Sequence, residues 1–339
     1  MSVPVPEKSL GLPSGGAGRW FEFVPEVEGA SERKRKKKQP TGPASIETLK
    51  AKAKALLDGE IAWIDSDKGR KAKSSSNDAG FLKRIMTSGT LSDKMASMML
   101  MIQESPMHRL HVVDILLKMA SRKGKREYIM AIETLKDLFQ SQLLPDRKLR
   151  AFHEQPHLEH PNTTDEHLVF WFFEDCVKTR FATFVECLEE ASHDPLPHVK
   201  SKTCRMACDI LRSKPEREAA MLSLLCNKLG DPDNKLASLV SHLLSKLLQE
   251  HPAMKSVVVT EVHRLLFRPN VSERAQHYGI VFCNQIVLAQ RDAALARTLV
   301  AAYLSLFRQQ LAVKRDLENK TLTALLAGVH RALPFTIKD

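Results

Sequence analysis

A regular spacing of prolines is the sequence feature that most constrains the fold of this chain. Pro195, Pro232 and Pro269 follow one another at intervals of 37 residues. The first two come directly after an aspartate, which can cap a helix, and proline fits a first helical turn because its φ is already fixed. Repeats of this length are typical of helix pairs that stack, since one pair cannot bury its apolar faces alone. The spacing therefore predicts an all-α solenoid.

The residues between these prolines repeat as well. Pro215 and Pro252 each follow 20 residues after the first two prolines and are expected to open a return helix. One stretch places leucine and valine at the spacing of a helix with a single buried face, at Leu236, Leu239, Val240, Leu243, Leu244, Leu247 and Leu248. The Asp194-Pro195 turn with Val199 resembles the inner motif of HEAT repeats. A HEAT/armadillo-like helical-repeat solenoid is expected, and a generic helical bundle is the alternative.

Three segments are expected along the chain. Residues 1–43 are rich in Pro, Gly, Ser and Glu without periodicity, which is typical of a disordered tail. Residues 44–79 combine a basic amphipathic helix with a flexible linker; that helix packs on the body or a partner, or lies on a membrane surface. Residues 80–339 carry the repeat. Within the tail, the apolar island at 20–24 either docks on a partner or folds back on the body.

The chain is basic, with 51 Lys and Arg against 40 Asp and Glu, which suits a polyanionic partner. An uninterrupted run in the tail is typical of a nuclear import signal, with a merely solvated charge run as the alternative: Arg33, Lys34, Arg35, Lys36, Lys37 and Lys38. No apolar run approaches the roughly 18 residues that span a bilayer, and the N-terminus has no secretory signal. We therefore expect an intracellular protein with no membrane partner.

Two basic loops flank a helix predicted over 125–144, and they are the candidate RNA-binding residues: Arg122, Lys123, Lys125 and Arg126 in one loop, Arg147, Lys148 and Arg150 in the other. Loops along one edge of a solenoid can follow a nucleic-acid backbone. Ordinary solvated helix ends are an equal alternative, because the helix dipole favours cations at C-termini. A second basic cluster comprises Lys200, Lys202, Arg205, Arg212, Lys214 and Arg217.

Catalysis and cofactors find little support in the sequence. His153, Glu154 and His157 match the H-E-x-x-H pattern of zinc proteases, which requires both histidines on one helical face. Pro156 lies inside the pattern and disfavours that helix. We therefore expect no catalytic residue, no metal site and no cofactor, and a zinc hydrolase is the weakest alternative.

Several blocks of the chain resemble the nucleolar-complex (CBF/Mak) family of ribosome-assembly factors. They are Gly89-Thr90-Leu91-Ser92-Asp93-Lys94-Met95, Ile102-Gln103-Glu104-Ser105-Pro106, residues 131–138, residues 143–149, Asn227-Lys228-Leu229-Gly230-Asp231-Pro232 and residues 326–332. The resemblance implies a nucleolar assembly factor for the large ribosomal subunit. It implies an α-solenoid that binds pre-ribosomal RNA, ribosomal proteins and a nucleolar-complex partner protein. The family's CCAAT-binding name implies promoter DNA instead, but the sequence shows no recognition helix or zinc finger.

The chain departs from this family's pattern at its C-terminal end. Family members continue beyond the block at 325–329 into a second helical half, whereas this sequence stops at Asp339. Contacts made by that half are expected to be absent. The last helix carries Leu322, Leu325, Leu326 and Val329, and its far side is expected to be exposed.

Overall fold

The structure, a computed structural model, describes residues 10, 12–13, 18–27, 43–66, 84–85, 88–122, 126–158, 160–313 and 319–336. Over these ranges the chain is all-α and contains no β-strand, which confirms the predicted fold class. The long helices are α1 Pro43–Asp65, α2 Leu91–Glu104, α3 Leu110–Ala120, α4 Arg126–Leu138, α5 Asp165–Ser192, α6 Pro197–Ser213, α7 Glu218–Lys228, α8 Asn234–Glu250, α9 Lys255–Leu266, α10 Glu273–Gln285, α11 Ala293–Val313 and α12 Asn319–Ala332. None of them is long and apolar enough to cross a bilayer.

The chain divides into two compact units. The first comprises Met1–Cys187 with Lys214–Glu216, and the second comprises Leu188–Ser213 with Arg217–Asp339. Each unit has its own set of packed helices and is described separately.

Local sequence signals and aromatic packing build the first unit, in which α2, α3 and α4 pack on one another. Helix α2 begins where the Thr90 side chain accepts a hydrogen bond from the Asp93 amide while the Asp93 carboxylate accepts one from the Thr90 amide. Helix α4 continues into a π-helical turn over Phe139–Leu143. Phe139 is fully buried there, with its ring centroid 5.1 Å from that of Phe181 on α5. This aromatic contact fixes the end of α4 against α5.

The apolar island near the N-terminus folds back on the first unit. Trp20 lies in a short 3-10 turn and is only 1% exposed. Its indole Nε1 donates a hydrogen bond to the carbonyl of Leu143 at 3.0 Å, and its ring lies edge-on to Phe173 at 5.1 Å. Of the two interpretations of this island, packing on the body is the one that the structure shows.

The second unit stacks its helices in two rows. One row contains α6, α8, α10 and α12, in which each helix packs on the next. The other row contains α7, α9 and α11 and packs in the same way. Contacts such as α6 with α7 and α11 with α12 join the two rows. This solenoid-like packing agrees with the predicted architecture, while the assignment to the HEAT type remains a prediction.

The first two members of the proline repeat appear in the structure with a shift of two residues, whereas α10 begins at Glu273, four residues after Pro269. Helices α6 and α8 each contain 17 residues, and their starts, 197 and 234, lie 37 residues apart. Pro195 and Pro232 were expected to begin these helices, but each lies two residues before the first helical residue. The reason is an aspartate turn: Asp194 accepts a hydrogen bond from the Leu196 amide, and Asp231 accepts one from the Asp233 amide. The prolines therefore belong to the turns.

Candidate nucleic-acid interface

The loop at residues 144–151 displays positive charge on a buried apolar base. Leu144 is 1% exposed and Leu149 is 3% exposed, so both side chains face the core. The charged residues between and after these two leucines are exposed: Asp146, Arg147, Lys148 and Arg150. The loop is thereby oriented with its apolar residues inward and its charges outward.

A buried carboxylate on α5 holds this loop. Glu174 has a side chain only 2% exposed. It accepts hydrogen bonds from the Arg150 amide at 2.8 Å and from both terminal nitrogens of Arg147, the second at 3.2 Å. The side-chain amide of Gln155 donates a further hydrogen bond to it at 3.1 Å. Because a buried carboxylate needs such donors, the loop and Glu174 stabilise each other.

Two further contacts fix the middle of the loop. The Leu149 amide donates a hydrogen bond to the carboxylate of Glu216 at 2.8 Å, and Glu216 is 6% exposed. The ammonium group of Lys178 donates to the Leu149 carbonyl at 2.9 Å and to Glu154 at 3.1 Å. Both backbone groups of Leu149 are thus bonded to charged side chains from distant parts of the sequence.

An ion pair lies at the start of the loop. Lys214, whose side chain is 6% exposed, contacts the Asp146 carboxylate at 2.7 Å. The hydrogen bond and charge of Lys214 hold the pKa of Asp146 below its ordinary value. Asp146 therefore stays negative at neutral pH, and Lys214 is committed to it rather than available to a partner.

The three predicted cations of this loop have different surroundings. Arg147 is paired with Glu174 and still exposes 44% of its side chain. Arg150 uses only its backbone amide in the contact with Glu174, and its side chain is exposed. Lys148 is also exposed, and its carbonyl accepts a hydrogen bond from Arg147. Arg147 is thus both a structural residue and a partly available cation.

The other predicted loop is only partly described. Arg122 is exposed and lies just after α3, with its amide bonded to the carbonyl of Met119. Lys123 and Lys125 lie outside the described residues, and Arg126 is the first residue of α4. Helix α4 and its π-helical turn separate Arg126 from Leu143 by about 26 Å, at 1.5 Å per residue. One phosphate cannot reach both loops, but an extended polyanion can.

Several members of the second basic cluster are already paired within the second unit. The Lys200 ammonium lies 3.0 Å from the Asp231 carboxylate, and Arg212 contacts Glu250 at 2.5 Å. Burial opposes the charge of Asp231, but the Asp233 amide and Lys200 outweigh it and lower the Asp231 pKa. Arg205 is exposed on α6. The structure therefore leaves less free positive charge in this cluster than the sequence suggests.

The H-E-x-x-H pattern does not form the helix that zinc chemistry would need. Phe152–Glu154 is a short 3-10 turn, and Gln155 is extended. Glu154 accepts hydrogen bonds from the Ala151 amide and from Lys178. The described residues contain no group of three or more metal-ligating side chains. Glu154 thus supports the basic loop through Lys178.

Sequence reasoning missed the residues that hold the loop. Glu174 lies 27 residues from Arg147, and Glu216 lies 67 residues from Leu149. No local motif marks these carboxylates. The sequence offers one indication, and only for Glu174. This residue lies among the aromatic residues of a buried helix, where a charged side chain requires a partner. The predicted import signal, Arg33 to Lys38, lies outside the described residues.

The chain matches several curated proteins over most of its length, although no family model matches it. It is 40% identical to CCAAT/enhancer-binding protein zeta of Homo sapiens over 94% of this chain. It is 32% identical to Ribosome biogenesis protein NOC1 of Chaetomium thermophilum over 87% of this chain, and 31% identical to Nucleolar complex protein 1 of Drosophila melanogaster, also over 87%. It spans only 30%, 33% and 26% of the length of these three relatives, respectively.

The fold and the anchored basic loop define an all-α protein of stacked helices. The matched relatives carry the names of binding or ribosome-biogenesis factors. The chain is a homologue of CCAAT/enhancer-binding protein zeta and of nucleolar complex protein 1 over most of its own length. This confirms the resemblance that the sequence blocks indicated.

Proposed function

We propose that this chain is a non-enzymatic scaffold in the assembly of the large ribosomal subunit, working in the nucleolus. It would bind pre-ribosomal RNA together with a nucleolar-complex partner and pre-ribosomal proteins. The homology to proteins named for ribosome biogenesis supports this role. The run from Arg33 to Lys38 would direct nuclear import, because a basic run of this kind matches the import signal pattern.

The observation that carries the RNA-binding part is the loop at 144–151, whose backbone is held by hydrogen bonds to two buried carboxylates. Glu174 and Glu216 hold its backbone through hydrogen bonds of 2.8 Å to Arg150 and Leu149. Lys148 and Arg150 then project their charges outward. A fixed loop loses little conformational entropy on binding, so more of the attraction to phosphates appears as affinity. Such contacts position an RNA backbone without reading its bases.

The test is a binding titration of the full chain with a fluorescent fragment of pre-ribosomal RNA at several salt concentrations. The double variant Lys148→Glu/Arg150→Glu should weaken binding by about tenfold or more and reduce the salt slope by about one per lost phosphate contact. The control is Lys246→Glu, which reverses one exposed cation on α8, and the single variants Lys148→Glu and Arg150→Glu are compared with it at equal net charge. Equal affinities for the loop variant and the control would refute the role of this loop.

A second candidate is a DNA-binding transcription factor, favoured by the name of the human relative, CCAAT/enhancer-binding protein zeta. The same titration with a CCAAT-containing DNA duplex separates the two proposals. The RNA proposal predicts that the RNA fragment competes the duplex away at equal concentration. A preference for the CCAAT duplex over a scrambled duplex and over RNA would favour the transcription factor instead.

A further inference from the structure

The N-terminal segment that Trp20 attaches lies against the start of the basic loop at 144–151. Trp20 donates its indole hydrogen bond at 3.0 Å to the carbonyl of Leu143, which directly precedes the loop. The two residues are 123 positions apart in sequence, yet both belong to the first compact unit. The segment described around Trp20, residues 18–27, is therefore a neighbour of the candidate RNA-binding loop.

Arg19 adds an exposed cation at this junction. Its amide donates a hydrogen bond to the carboxylate of Glu22 at 3.2 Å, and its guanidinium lies 5.9 Å from the ring centroid of Phe21. Its charge also reaches the loop: besides the hydrogen bond and charge of Lys214, it helps to lower the pKa of Asp146. Arg19 thus extends the positive charge of the loop onto the N-terminal segment.

Phe23, in the same segment, adds an aromatic ring. At 40% exposure it is the most exposed Phe, Tyr or Trp side chain among the described residues. One side of this ring lies on the backbone of Gly18, where an added Cβ would be 3.0 Å from it. Because Gly18 directly precedes Arg19, the ring is held beside that cation while part of it stays open to solvent.

The acidic side chains near this junction fall into two groups. Those of the loop are committed to internal contacts: Glu174, Glu216 and Asp146. Those of the segment, Glu22 and Glu26, are exposed and would repel phosphates. The exposed cations outnumber these two: Arg19, Arg147, Lys148 and Arg150. Residues 28–42, which lie outside the described ranges and are no part of the site, add six cations and two acids. We therefore expect an RNA strand to follow Arg19 and the loop.

We propose that the segment at 18–27 and the basic loop form one site for single-stranded RNA. Arg19 would continue the row of phosphate contacts that the cations of the loop begin, and the open part of the Phe23 ring would stack on a base. Trp20 is a positioning residue, because it joins the segment to the loop while its own ring is buried. The inference rests on the RNA-binding function proposed above and names the class of RNA that the site takes.

An aromatic ring beside cations favours an unpaired strand over other ligands. In a duplex the bases stack on one another and leave no face for Phe23, whereas an unpaired base can stack on it. Stacking accepts any base, so we expect little sequence preference. A protein contact, from a partner or from a longer form of the chain, would use Phe23 without the cations of the loop and is the rival outcome of the test.

The experiment measures the affinity of the full chain for a single-stranded RNA of about twelve nucleotides and for the duplex that it forms with its complement, at several salt concentrations. The single strand should bind more tightly than the duplex. Phe23→Ala should weaken binding of the single strand about fivefold or more, leave its salt slope unchanged and leave duplex binding unaffected. Arg19→Ala should instead reduce the salt slope by about one.

Matched controls remove similar side chains elsewhere on the first unit. Leu100→Ala changes an apolar residue of α2 that is 53% exposed, and Lys54→Ala removes an exposed cation from α1. Phe23→Leu keeps an apolar side chain without an aromatic face and should weaken binding as alanine does, whereas Phe23→Trp should retain the affinity. Hydrogen exchange over residues 18–27 shows whether each variant keeps the segment docked, and Trp20→Ala, which releases it, should show both losses. Equal affinities of Phe23→Ala and Leu100→Ala for the single strand, as a protein contact predicts, would overturn the proposal.

The loop variant Lys148→Glu/Arg150→Glu is measured with the same two RNAs. If this variant loses RNA while Phe23→Ala and Phe23→Leu keep it, only the joint site fails and the proposed function stands. If the loop variant binds RNA like the unmodified chain, the RNA-binding part of the proposed function fails, and the joint site fails with it.

Discussion

At the scale of single residues, Glu174 organises the candidate RNA-binding loop because donors from three residues converge on its carboxylate. Arg147, Arg150 and Gln155 all donate hydrogen bonds to it. A buried carboxylate would be strongly destabilising alone, so its presence is explained by these partners. A substitution of the acidic anchor Glu174 should therefore also disturb the basic loop that it holds.

We predict that Glu174→Gln lowers the free energy of unfolding by about 2 kcal/mol, because charge-assisted hydrogen bonds are lost and Arg147 loses its partner. Urea denaturation at pH 7 measures the change. Glu186→Gln, at an exposed position on the same helix, is the control and should change stability by less than about 0.5 kcal/mol. Equal stability of the two variants would show that Glu174 does not anchor the loop.

Trp20 is a second decisive residue, because its buried ring attaches the N-terminal segment. We predict that Trp20→Ala detaches residues 18–27, since removing a buried tryptophan typically costs about 3–5 kcal/mol. Hydrogen exchange should show faster exchange in this segment and in the π-helical turn at 139–143, whose Leu143 carbonyl loses its donor. Phe23→Ala, at a position 40% exposed, should leave the exchange unchanged. Unchanged exchange in Trp20→Ala would contradict the docking.

At the scale of secondary-structure elements, the turn at 231–233 links α6 to α8. Asp231 accepts hydrogen bonds from Lys200 on α6 at 3.0 and 3.2 Å and from the Asp233 amide at 3.0 Å. Asp233 in turn caps α8 by accepting from the Lys235 amide. This short turn therefore caps the start of α8 and links α8 to α6, its neighbour in the row.

We predict a pH-dependent effect of Asp231→Asn. The folded-state pKa of Asp231 lies below its ordinary value of 3.8, so its contribution is complete above that pH and is lost as pH falls below it. Urea denaturation should show a loss of about 2 kcal/mol at pH 7 that shrinks towards pH 3. The control Asp194→Asn alters the equivalent turn of the preceding repeat, where Asn can still accept from Leu196. A loss independent of pH would exclude the ion pair as the cause.

A second prediction at this scale concerns the contact between α10 and α12. Gly328→Val would place carbon atoms against Asn284 and Tyr303, where an added Cβ already lies 2.5 and 2.7 Å away. Overpacking of this kind costs about 1–3 kcal/mol of stability, so the midpoint temperature of thermal denaturation should fall by several degrees. Ala327→Val places the same side chain at the exposed neighbouring position and should have little effect. Equal midpoint temperatures for the two variants would contradict the close approach of Gly328 to Asn284 and Tyr303.

At the scale of the whole molecule, the helices and their repetition could be predicted because the relevant signals are local. Proline spacing and the apolar stripe of α8 suffice to indicate stacked helices. Folding back of the Trp20 segment was one of two expected outcomes, but the partners of Trp20 and Arg147 could not be predicted, since they lie 123 and 27 residues away. The sequence also overstated the free positive charge, because Lys200, Arg212 and Lys214 pair with acids that only the fold brings near.

The most direct measurement of the central claim is crosslinking and sequencing of nucleic acid bound to the full chain in cells. It compares the unmodified chain with Lys148→Glu/Arg150→Glu and with the control Lys246→Glu. The account predicts enrichment of pre-ribosomal RNA that is lost in the loop variant and kept in the control. Recovery of promoter DNA without pre-ribosomal RNA, or RNA crosslinks that the loop variant leaves unchanged, would contradict it.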